Sequence, residues 1–185
     1  MTETLAAADG LDGAVLDSVL RDRTPGLAEV LYAVTYTGGT AAIAIGAAIV
    51  ALALLVRGRR GDAVFVAAAT AFSFVAMNVL KLVWRRERPP VPERLVEVSS
   101  YSFPSGHAML TALFAGVVVT VLVRSRLPRA ALVAAITCMV VYTIAIGLTR
   151  VYLAAHWMTD VLAGWAAGGA LALVAAAIAS RVRRG

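Results

Sequence analysis

Residues 149–160 read TRVYLAAHWMTD, and this stretch lies between two long apolar runs. It contains an arginine, a histidine and an aspartate, residue types that are costly at membrane depth and are usually kept there for a function. His156 and Asp160 are four residues apart, so on a helix starting near Ala155 they share one face, where the carboxylate can hold an imidazole nitrogen. A histidine held in this way is basic and nucleophilic, and Arg150 could bring an anion to it.

The composition of the chain is that of a membrane protein. Of its 185 residues, 61% are hydrophobic and 15% are charged, and the mean hydropathy is +0.83. Such values lie far from those of soluble domains, and the length suits a single domain. The net charge of +6 could attract nucleic acid, but the basic residues form short clusters between apolar runs. We therefore expect no nucleic-acid partner and interpret the clusters as loop charges that set membrane orientation.

The apolar runs predict the number of membrane crossings. Each run is long enough for a spanning helix, and the runs cover residues 30–56, 63–84, 105–123, 130–148 and 156–180. The predicted fold class is all-α: a polytopic transmembrane bundle of about five spanning helices. Gly164 and Gly168 have the spacing that lets helix backbones approach closely. We expect them to pack inside the bundle, while a dimer face is the alternative and the oligomeric state stays open.

The N-terminal segment, residues 1–29, is predicted to be distinct from the membrane domain over residues 30–185. It is rich in acidic residues, and its apolar residues fall on one helical face, at Leu11, Val15, Val19 and Leu20. This pattern predicts a short amphipathic helix at the membrane interface. A surface helix that packs on the bundle is the alternative.

Two further stretches place functional residue types at helix ends. Lys81 is the only lysine in a chain with sixteen arginines, and Arg88 and Pro89 follow it after six intervening residues. Residues 103–107 read FPSGH ahead of an apolar run, which is typical of a helix start. Its histidine, His107, and His156 are the only two histidines in the chain. Alternation of the crossings places both stretches on the same membrane face as residues 149–160.

The distribution of arginines predicts which face this is. With Lys81, Arg88 and Arg150 set aside as site residues, five arginines remain on the site face and nine lie on the other. The nine are Arg57, Arg59, Arg60, Arg124, Arg126, Arg129, Arg181, Arg183 and Arg184. Because cytoplasmic loops carry the excess of basic residues, we expect a cell-membrane protein whose site faces the outside of the cell.

Together the three stretches resemble the signature of the type 2 phosphatidic acid phosphatase superfamily, which also includes vanadium haloperoxidases and bacterial acid phosphatases. The first part of that signature, a lysine followed after six residues by Arg-Pro, is matched by residues 81–89. The second, Pro-Ser-Gly-His, is matched by residues 104–107. The third, Ser-Arg, five residues, His, three residues, Asp, is matched by residues 149–160, with Thr149 in place of serine. Threonine keeps the hydroxyl. Members of the family often have six spans, so six is the alternative to five.

The resemblance implies which residues bind phosphate. Lys81, Arg88 and Arg150 would neutralise the phosphate oxygens, arginine by forked contact and lysine as a point charge. Backbone N–H groups at the helix start of Ser105 and Gly106, with the Ser105 hydroxyl, would complete the anion site. Taken singly, each has an ordinary alternative, such as a snorkelling lysine or a headgroup contact.

The resemblance also implies the catalytic residues. His156 would attack phosphorus to form a phosphohistidine, and Asp160 would fix its tautomer and stabilise the positive ring. His107 would protonate the leaving oxygen and then activate water. We expect no cofactor, and none of the spacings is typical of a metal site.

The expected activity is hydrolysis of a lipid phosphate, because a site at the bilayer surface can take a headgroup while the tail stays in lipid. An outward site would suit undecaprenyl pyrophosphate, with phosphatidate and phosphatidylglycerol phosphate as alternatives. A lipid phosphotransferase would use the same residues. A transporter would also use intramembrane charges, but it would need them at mid-bilayer, and haloperoxidase relatives are soluble. Arg85, Arg86 and Arg94 match no motif position and are interpreted as headgroup or loop charges.

Overall fold

The computed structural model describes residues 10–91, 93–125 and 127–182. Over these ranges the chain is all-helical, as predicted, without a strand. The first nine residues of the N-terminal segment, and Arg126, Arg183 and Arg184 of the orientation count, lie outside the described ranges. The helices are α1 (Leu11–Asp22), α2 (Pro25–Thr37), α3 (Thr40–Val56), α4 (Arg60–Trp84), α5 (Gly106–Val123), α6 (Arg129–Tyr152) and α7 (Met158–Val182).

Four described helices, α4 to α7, are each long and apolar enough to cross a membrane, and α2 with α3 forms a fifth candidate span that is bent by 43°. The polytopic bundle is therefore confirmed. The predicted continuous helix over residues 30–56 is wrong in one respect, because it breaks at Gly38 and Gly39. A Cβ at Gly38 would lie 2.3 Å from the Cγ2 atom of Ile146. The glycine thus lets the end of α2 approach α6 closely, and the turn redirects the chain into α3.

Helix α5 is the centre of the bundle and packs most extensively against α7. Glycines make this approach possible. A Cβ at Gly164 would lie 2.7 Å from the Ser105 carbonyl oxygen, and one at Gly168 would lie 2.2 Å from the Met109 carbonyl oxygen. The expectation that these two glycines pack inside the bundle is therefore confirmed, and their contacts fix the height of α7 relative to the start of α5.

Helix α1 packs on the bundle with only part of the predicted apolar face, since Leu11 is 52% exposed and Leu16, which was not predicted, is buried. Leu16 is buried against Ala154 and Trp157, in the turn between α6 and α7. Val15 and Val19 pack against the cluster of Val151 and Val161. At the end of α1, the Arg23 guanidinium donates to the carbonyl oxygens of Glu93 and Tyr152 at 2.6 and 2.9 Å. Both ends of the N-terminal helix are thus attached to the segments that carry the candidate site.

Candidate active site

The predicted site segments meet at one end of the bundle. The Lys81 ammonium at the end of α4 donates to the Tyr101 carbonyl oxygen at 2.6 Å. The Ser105 N–H, just before α5, donates to the Asp160 carbonyl oxygen at 3.0 Å. These contacts join the end of α4, the start of α5 and the first turn of α7, as the alternation of crossings predicts.

His156 lies in the turn between α6 and α7, not on the helix that carries Asp160. The expected helix start near Ala155 is wrong, because α7 begins at Met158. The chain leaves α6 through Ala154, which has a φ of 48°, and the N–H groups of Ala155 and His156 both donate to the Arg150 carbonyl oxygen, at 2.9 and 3.2 Å. A buried alanine in the left-handed region stores strain of the kind that clusters at functional sites.

The expected pairing of His156 with Asp160 is nevertheless present. The Nδ1 atom of His156 lies 3.5 Å from the Oδ2 atom of Asp160. The same Oδ2 accepts hydrogen bonds from the Ser102 hydroxyl at 2.5 Å and from the Trp157 N–H at 3.1 Å. The carboxylate is fully buried, so these donors fix its orientation toward the imidazole. Ser102 belongs to no motif and is missed by the sequence analysis.

The opposite nitrogen of the ring faces Arg88. The His156 Nε2 atom lies 3.1 Å from the Arg88 Nη1 atom, and since a guanidinium only donates, Nε2 is the unprotonated nitrogen and Nδ1 carries the proton. Arg88 is held in turn by the carbonyl oxygens of Ser100 at 2.7 Å and Tyr101 at 3.1 Å. Burial, followed by the nearby charge of Arg94, lowers the pKa of Arg88 to about 10, which leaves it positively charged at neutral pH.

The environment of His156 keeps its imidazole neutral. Burial lowers the pKa of His156 to about 3, and the positive charges of Arg88, Arg150 and Lys81 add to this effect, whereas the hydrogen bond to Asp160 opposes it. The ring is only 4% exposed. The imidazole is neutral, and its unprotonated Nε2 atom faces Arg88. Such a ring is suited to attack an electrophile that carries negative charge and is bound by the nearby cations.

Arg150 is buried at the end of α6 with part of its hydrogen-bonding capacity unused. One guanidinium nitrogen donates to the Thr35 hydroxyl at 2.9 Å, while the Nε atom is buried without a hydrogen-bond partner among the described residues. Thr149, at the position where the family has serine, donates to the Thr35 hydroxyl at 3.0 Å. Thr35 comes from α2 and matches no motif, so sequence reasoning missed it.

The helix start at Ser105 offers a hydroxyl but not its backbone N–H. The Ser105 hydroxyl is fully buried and has no partner among the described residues, which suits an anion-binding role. The predicted contribution of the Ser105 N–H is wrong, because the Asp160 carbonyl oxygen already accepts from it. Gly106 begins α5, and a Cβ there would lie 2.6 Å from the Met77 sulfur. A side chain at this position would therefore displace the Met77 side chain of α4.

His107 and Arg150 line an open cleft of about 510 Å³. The bend between α2 and α3 forms one wall, and the loop over residues 95–98 forms the other. A Cβ at Gly39 would lie 3.6 Å from the His107 Nε2 atom, which places this nitrogen directly beside the bend. The two imidazoles interact electrostatically with each other and with Lys81, Arg88 and Arg150, so the predicted site residues form one group.

The structure distinguishes two neighbouring arginines that the sequence treats alike. Arg85 is exposed and donates to the Leu82 carbonyl oxygen of its own helix. Arg86 donates to Asp160 Oδ1 at 2.7 Å and to Asp12 Oδ2 at 2.6 Å. The interpretation of Arg86 as a loop charge is therefore wrong. No spacing rule could have found its partners, since Asp12 and Asp160 are each 74 residues away.

Comparison with known proteins identifies the family of the chain. The family model described as PAP2 superfamily matches residues 62–184. Phosphatidylglycerophosphatase B of Bacillus subtilis (strain 168) is 28% identical over 180 residues, covering 96% of this chain and 88% of the relative. The crystal structure of a transmembrane PAP2 type phosphatidylglycerolphosphate phosphatase from Bacillus subtilis superposes with a TM-score of 0.78 at 27% identity, covering 97% of this chain and 92% of that one.

A second solved structure supports the fold alone. Aquifex aeolicus LpxE superposes with a TM-score of 0.71 at 19% identity, covering 90% of this chain and 94% of that one. The resemblance found in the three motifs is thus confirmed by independent matches to nearly the whole chain. The chain belongs to the PAP2 superfamily and is a membrane lipid phosphatase of that superfamily.

Proposed function

We propose that the protein removes the phosphate group of a membrane lipid through a phosphohistidine on His156, without a metal ion. The observation that carries this proposal is the arrangement of the imidazole, with Nδ1 toward Asp160 and Nε2 toward Arg88. Such a ring has one nitrogen free to attack and a carboxylate ready to stabilise the positive charge that develops on it.

In the first step, the His156 Nε2 atom forms a bond to phosphorus while the bond between phosphorus and the lipid oxygen breaks. Lys81, Arg88 and Arg150 neutralise the charge on the remaining phosphate oxygens, and the unpartnered Ser105 hydroxyl donates to one of them. The Gly106 N–H, at the start of α5, adds a donor backed by the helix dipole. Arg88 exchanges its contact with Nε2 for a contact with the phosphate.

His107 serves the leaving group. In an in-line displacement, the departing oxygen lies on the side of phosphorus opposite the nucleophile, and His107 faces the cleft beside Gly39. The negative charge of the bound phosphate offsets the nearby cations and favours the protonated ring, which gives its proton to this oxygen. The neutral ring then takes a proton from water. The resulting hydroxide attacks phosphorus, the bond between phosphorus and nitrogen breaks, and inorganic phosphate leaves.

The cleft suggests how a lipid substrate is accommodated. Tyr32, Tyr36 and Thr40 of α2 and α3 line one side, and the other wall is apolar at Leu95, Val96 and Val98 but also includes the acidic Glu97. A short polar link next to the phosphate would contact the hydroxyl groups, and the apolar part would continue toward the bilayer. Phosphatidylglycerol phosphate fits this description, and the related Bacillus subtilis structure is that of a phosphatidylglycerolphosphate phosphatase.

Undecaprenyl pyrophosphate is the second candidate substrate. The apolar wall over Leu95, Val96 and Val98 imposes no requirement for a glycerol headgroup, and the chemistry at the terminal phosphate is the same. We place the site on the outside of the cell, as the arginine distribution predicts. Arg23 and Arg86 are two of the five arginines that were counted on the site face. Both make hydrogen bonds within the protein, so they have a structural role besides setting the orientation.

A substrate panel in detergent tests the proposal. Purified protein is given phosphatidylglycerol phosphate, phosphatidate and undecaprenyl pyrophosphate in excess chelator, and released phosphate is measured with and without an acceptor lipid. We expect release in chelator, inhibition by vanadate and the highest kcat/KM for phosphatidylglycerol phosphate. Dependence on added magnesium would exclude the mechanism, and transfer of phosphate to the acceptor lipid in place of release would indicate a phosphotransferase.

A further inference from the structure

Arg86 connects the catalytic carboxylate to the N-terminal helix. One guanidinium nitrogen donates to Asp160 Oδ1 at 2.7 Å, and the other donates to Asp12 Oδ2 at 2.6 Å. The first nitrogen also donates to the Thr159 hydroxyl at 2.7 Å, and the guanidinium carbon lies 5.7 Å from the centre of the Trp157 ring. Arg86 is thus fixed by partners from α1 and from the start of α7.

Asp12 is held as firmly as Arg86, although it lies on the N-terminal helix. Its Oδ1 atom accepts from the Thr159 N–H at 2.9 Å, and its Oδ2 atom accepts from the Thr159 hydroxyl at 2.5 Å. Burial alone would raise the pKa of Asp12, but the hydrogen bonds from Thr159 and Arg86 outweigh this effect and lower it. The carboxylate is therefore ionised, and its charge lies close to Arg86.

Asp12, Arg86 and Asp160 together carry a net charge of one negative unit beside His156. Asp12 and Asp160 contribute two negative charges, and Arg86 contributes one positive charge. Three cations, Lys81, Arg88 and Arg150, also act on His156. If Asp12 were absent, Arg86 would offset the charge of Asp160, and the imidazole would face the three cations without a net negative partner. A positively charged phosphohistidine would then be less stable.

We propose that Asp12 and Arg86 are positioning residues for the nucleophile: Arg86 orients Asp160, and Asp12 offsets the charge of Arg86 so that Asp160 remains an effective anion for His156. This inference rests on the proposed role of His156. It gives the N-terminal helix a part in the reaction, although none of its residues reaches the phosphate site. Groups that orient a functional side chain without touching the reacting atoms commonly change activity about 10- to 100-fold when they are altered.

Neighbouring residues provide matched controls for the test. Asp17 lies on the same helix as Asp12 but is exposed, and Arg85 precedes Arg86 but contacts only the Leu82 carbonyl oxygen among its described hydrogen bonds. The experiment compares D12N with D17N and R86K with R85K, with H156A in the same series. The readouts are kcat, KM for the lipid phosphate, the inhibition constant of vanadate and the thermal unfolding midpoint in detergent.

We expect D12N to lower kcat about 10-fold or more, with KM and vanadate inhibition within about twofold of the unchanged protein. R86K keeps the positive charge but cannot reproduce the two hydrogen bonds of the planar guanidinium. Its kcat should therefore fall less than that of R86A. D17N and R85K should match the unchanged protein. Rates are normalised to folded protein, so a loss of stability does not imitate a loss of kcat.

The double variant D12N/R86Q separates a charge effect from a packing effect. Once Arg86 is removed, Asp12 has no charge left to offset, so the double variant should lose less kcat than the product of the losses in D12N and R86Q. A loss in the double variant equal to that product or greater, or a kcat of D12N equal to that of D17N, would overturn the inference. If the inference about Asp12 and Arg86 fails in this way but H156A is inactive, the proposed role of His156 is still supported. Full activity of H156A would overturn both.

Discussion

The Oδ2 atom of Asp160 lies 3.5 Å from the Nδ1 atom of His156, although the histidine belongs to a turn and the aspartate to the helix that follows it. The turn is held by two N–H bonds to the Arg150 carbonyl oxygen, and the carboxylate is held by Ser102 and Trp157. Arg150, His156 and Asp160 are therefore fixed relative to one another by a few short contacts. This rigidity accounts for the constant spacing of the third motif.

The Asp160 carboxylate should be needed for chemistry more than for binding. D160N keeps the size of the side chain but removes the charge that stabilises a positive imidazole. We expect kcat to fall by about 10² to 10⁴, with KM changed only a few-fold. Steady-state kinetics on a lipid phosphate in detergent measures this. S102A, which removes one donor to the carboxylate, should have a smaller effect, and equal kcat for D160N and the unchanged protein would contradict the role.

Gly39 should determine how bulky a leaving group can be. A Cβ there would lie 3.6 Å from the His107 Nε2 atom and 3.3 Å from the Tyr36 carbonyl oxygen, in the cleft where we propose that the lipid oxygen departs. We expect G39A to lower kcat/KM for lipid phosphates about 10-fold or more, corresponding to a contact cost of about 1–3 kcal/mol. A small soluble phosphate ester should be affected less.

The control for this substitution is G26A on α2. A Cβ at Gly26 would meet nothing within 4 Å, so G26A should leave both activities unchanged. An equal loss of kcat/KM for the lipid and the soluble ester in G39A would show that the residue supports His107 in general and does not select the leaving group.

The contact between α5 and α7 should depend on its glycines. G168A would place a Cβ 2.2 Å from the Met109 carbonyl oxygen, whereas a Cβ at Gly169 would meet nothing within 4 Å. We expect G168A to lower the free energy of unfolding by about 1–3 kcal/mol or more, because backbone atoms must move. G169A should be neutral or slightly stabilising. Thermal unfolding in detergent measures both, and equal midpoints would contradict the packing described for α7.

His156 should make the folded state sensitive to acid. Its pKa is about 3 in the folded chain, against 6.5 ordinarily, so between these values the unfolded chain binds more protons. The free energy of unfolding therefore falls as the pH is lowered from about 6.5 toward 3. H156Q removes this titration, and the pH dependence of its unfolding midpoint should be flatter than that of the unchanged protein. Parallel curves would show that His156 is not buried in its neutral form.

The sequence predicted the helical bundle, and it predicted that the proposed phosphate-binding side chains lie toward one end of that bundle, because both depend on local patterns. Apolar runs of sufficient length define the spans, and the motifs place Lys81, Arg88, His107 and Arg150 at helix ends of one face. The break at Gly38 and Gly39 was missed because the run over residues 30–56 contains no charge. Hydropathy does not respond to the close contact with Ile146 that makes this break possible.

The residues that orient the site could not be predicted in the same way. Asp12, Thr35, Arg86 and Ser102 act through contacts with residues 54 to 147 positions away. In the sequence they resemble ordinary loop or surface residues. The start of α7 was misplaced because Ala154 adopts a positive φ that alanine rarely has, so the sequence does not indicate the turn.

The most direct test of the central claim is to trap the phosphoenzyme. Protein is mixed with a lipid phosphate labelled in its terminal phosphate and quenched in alkali, where phosphohistidine survives, and the labelled peptide is then identified. The account predicts label on His156 in the unchanged protein and no label in H156A, which should also lose turnover. Label on another residue, or turnover by H156A at the rate of the unchanged protein, would contradict it.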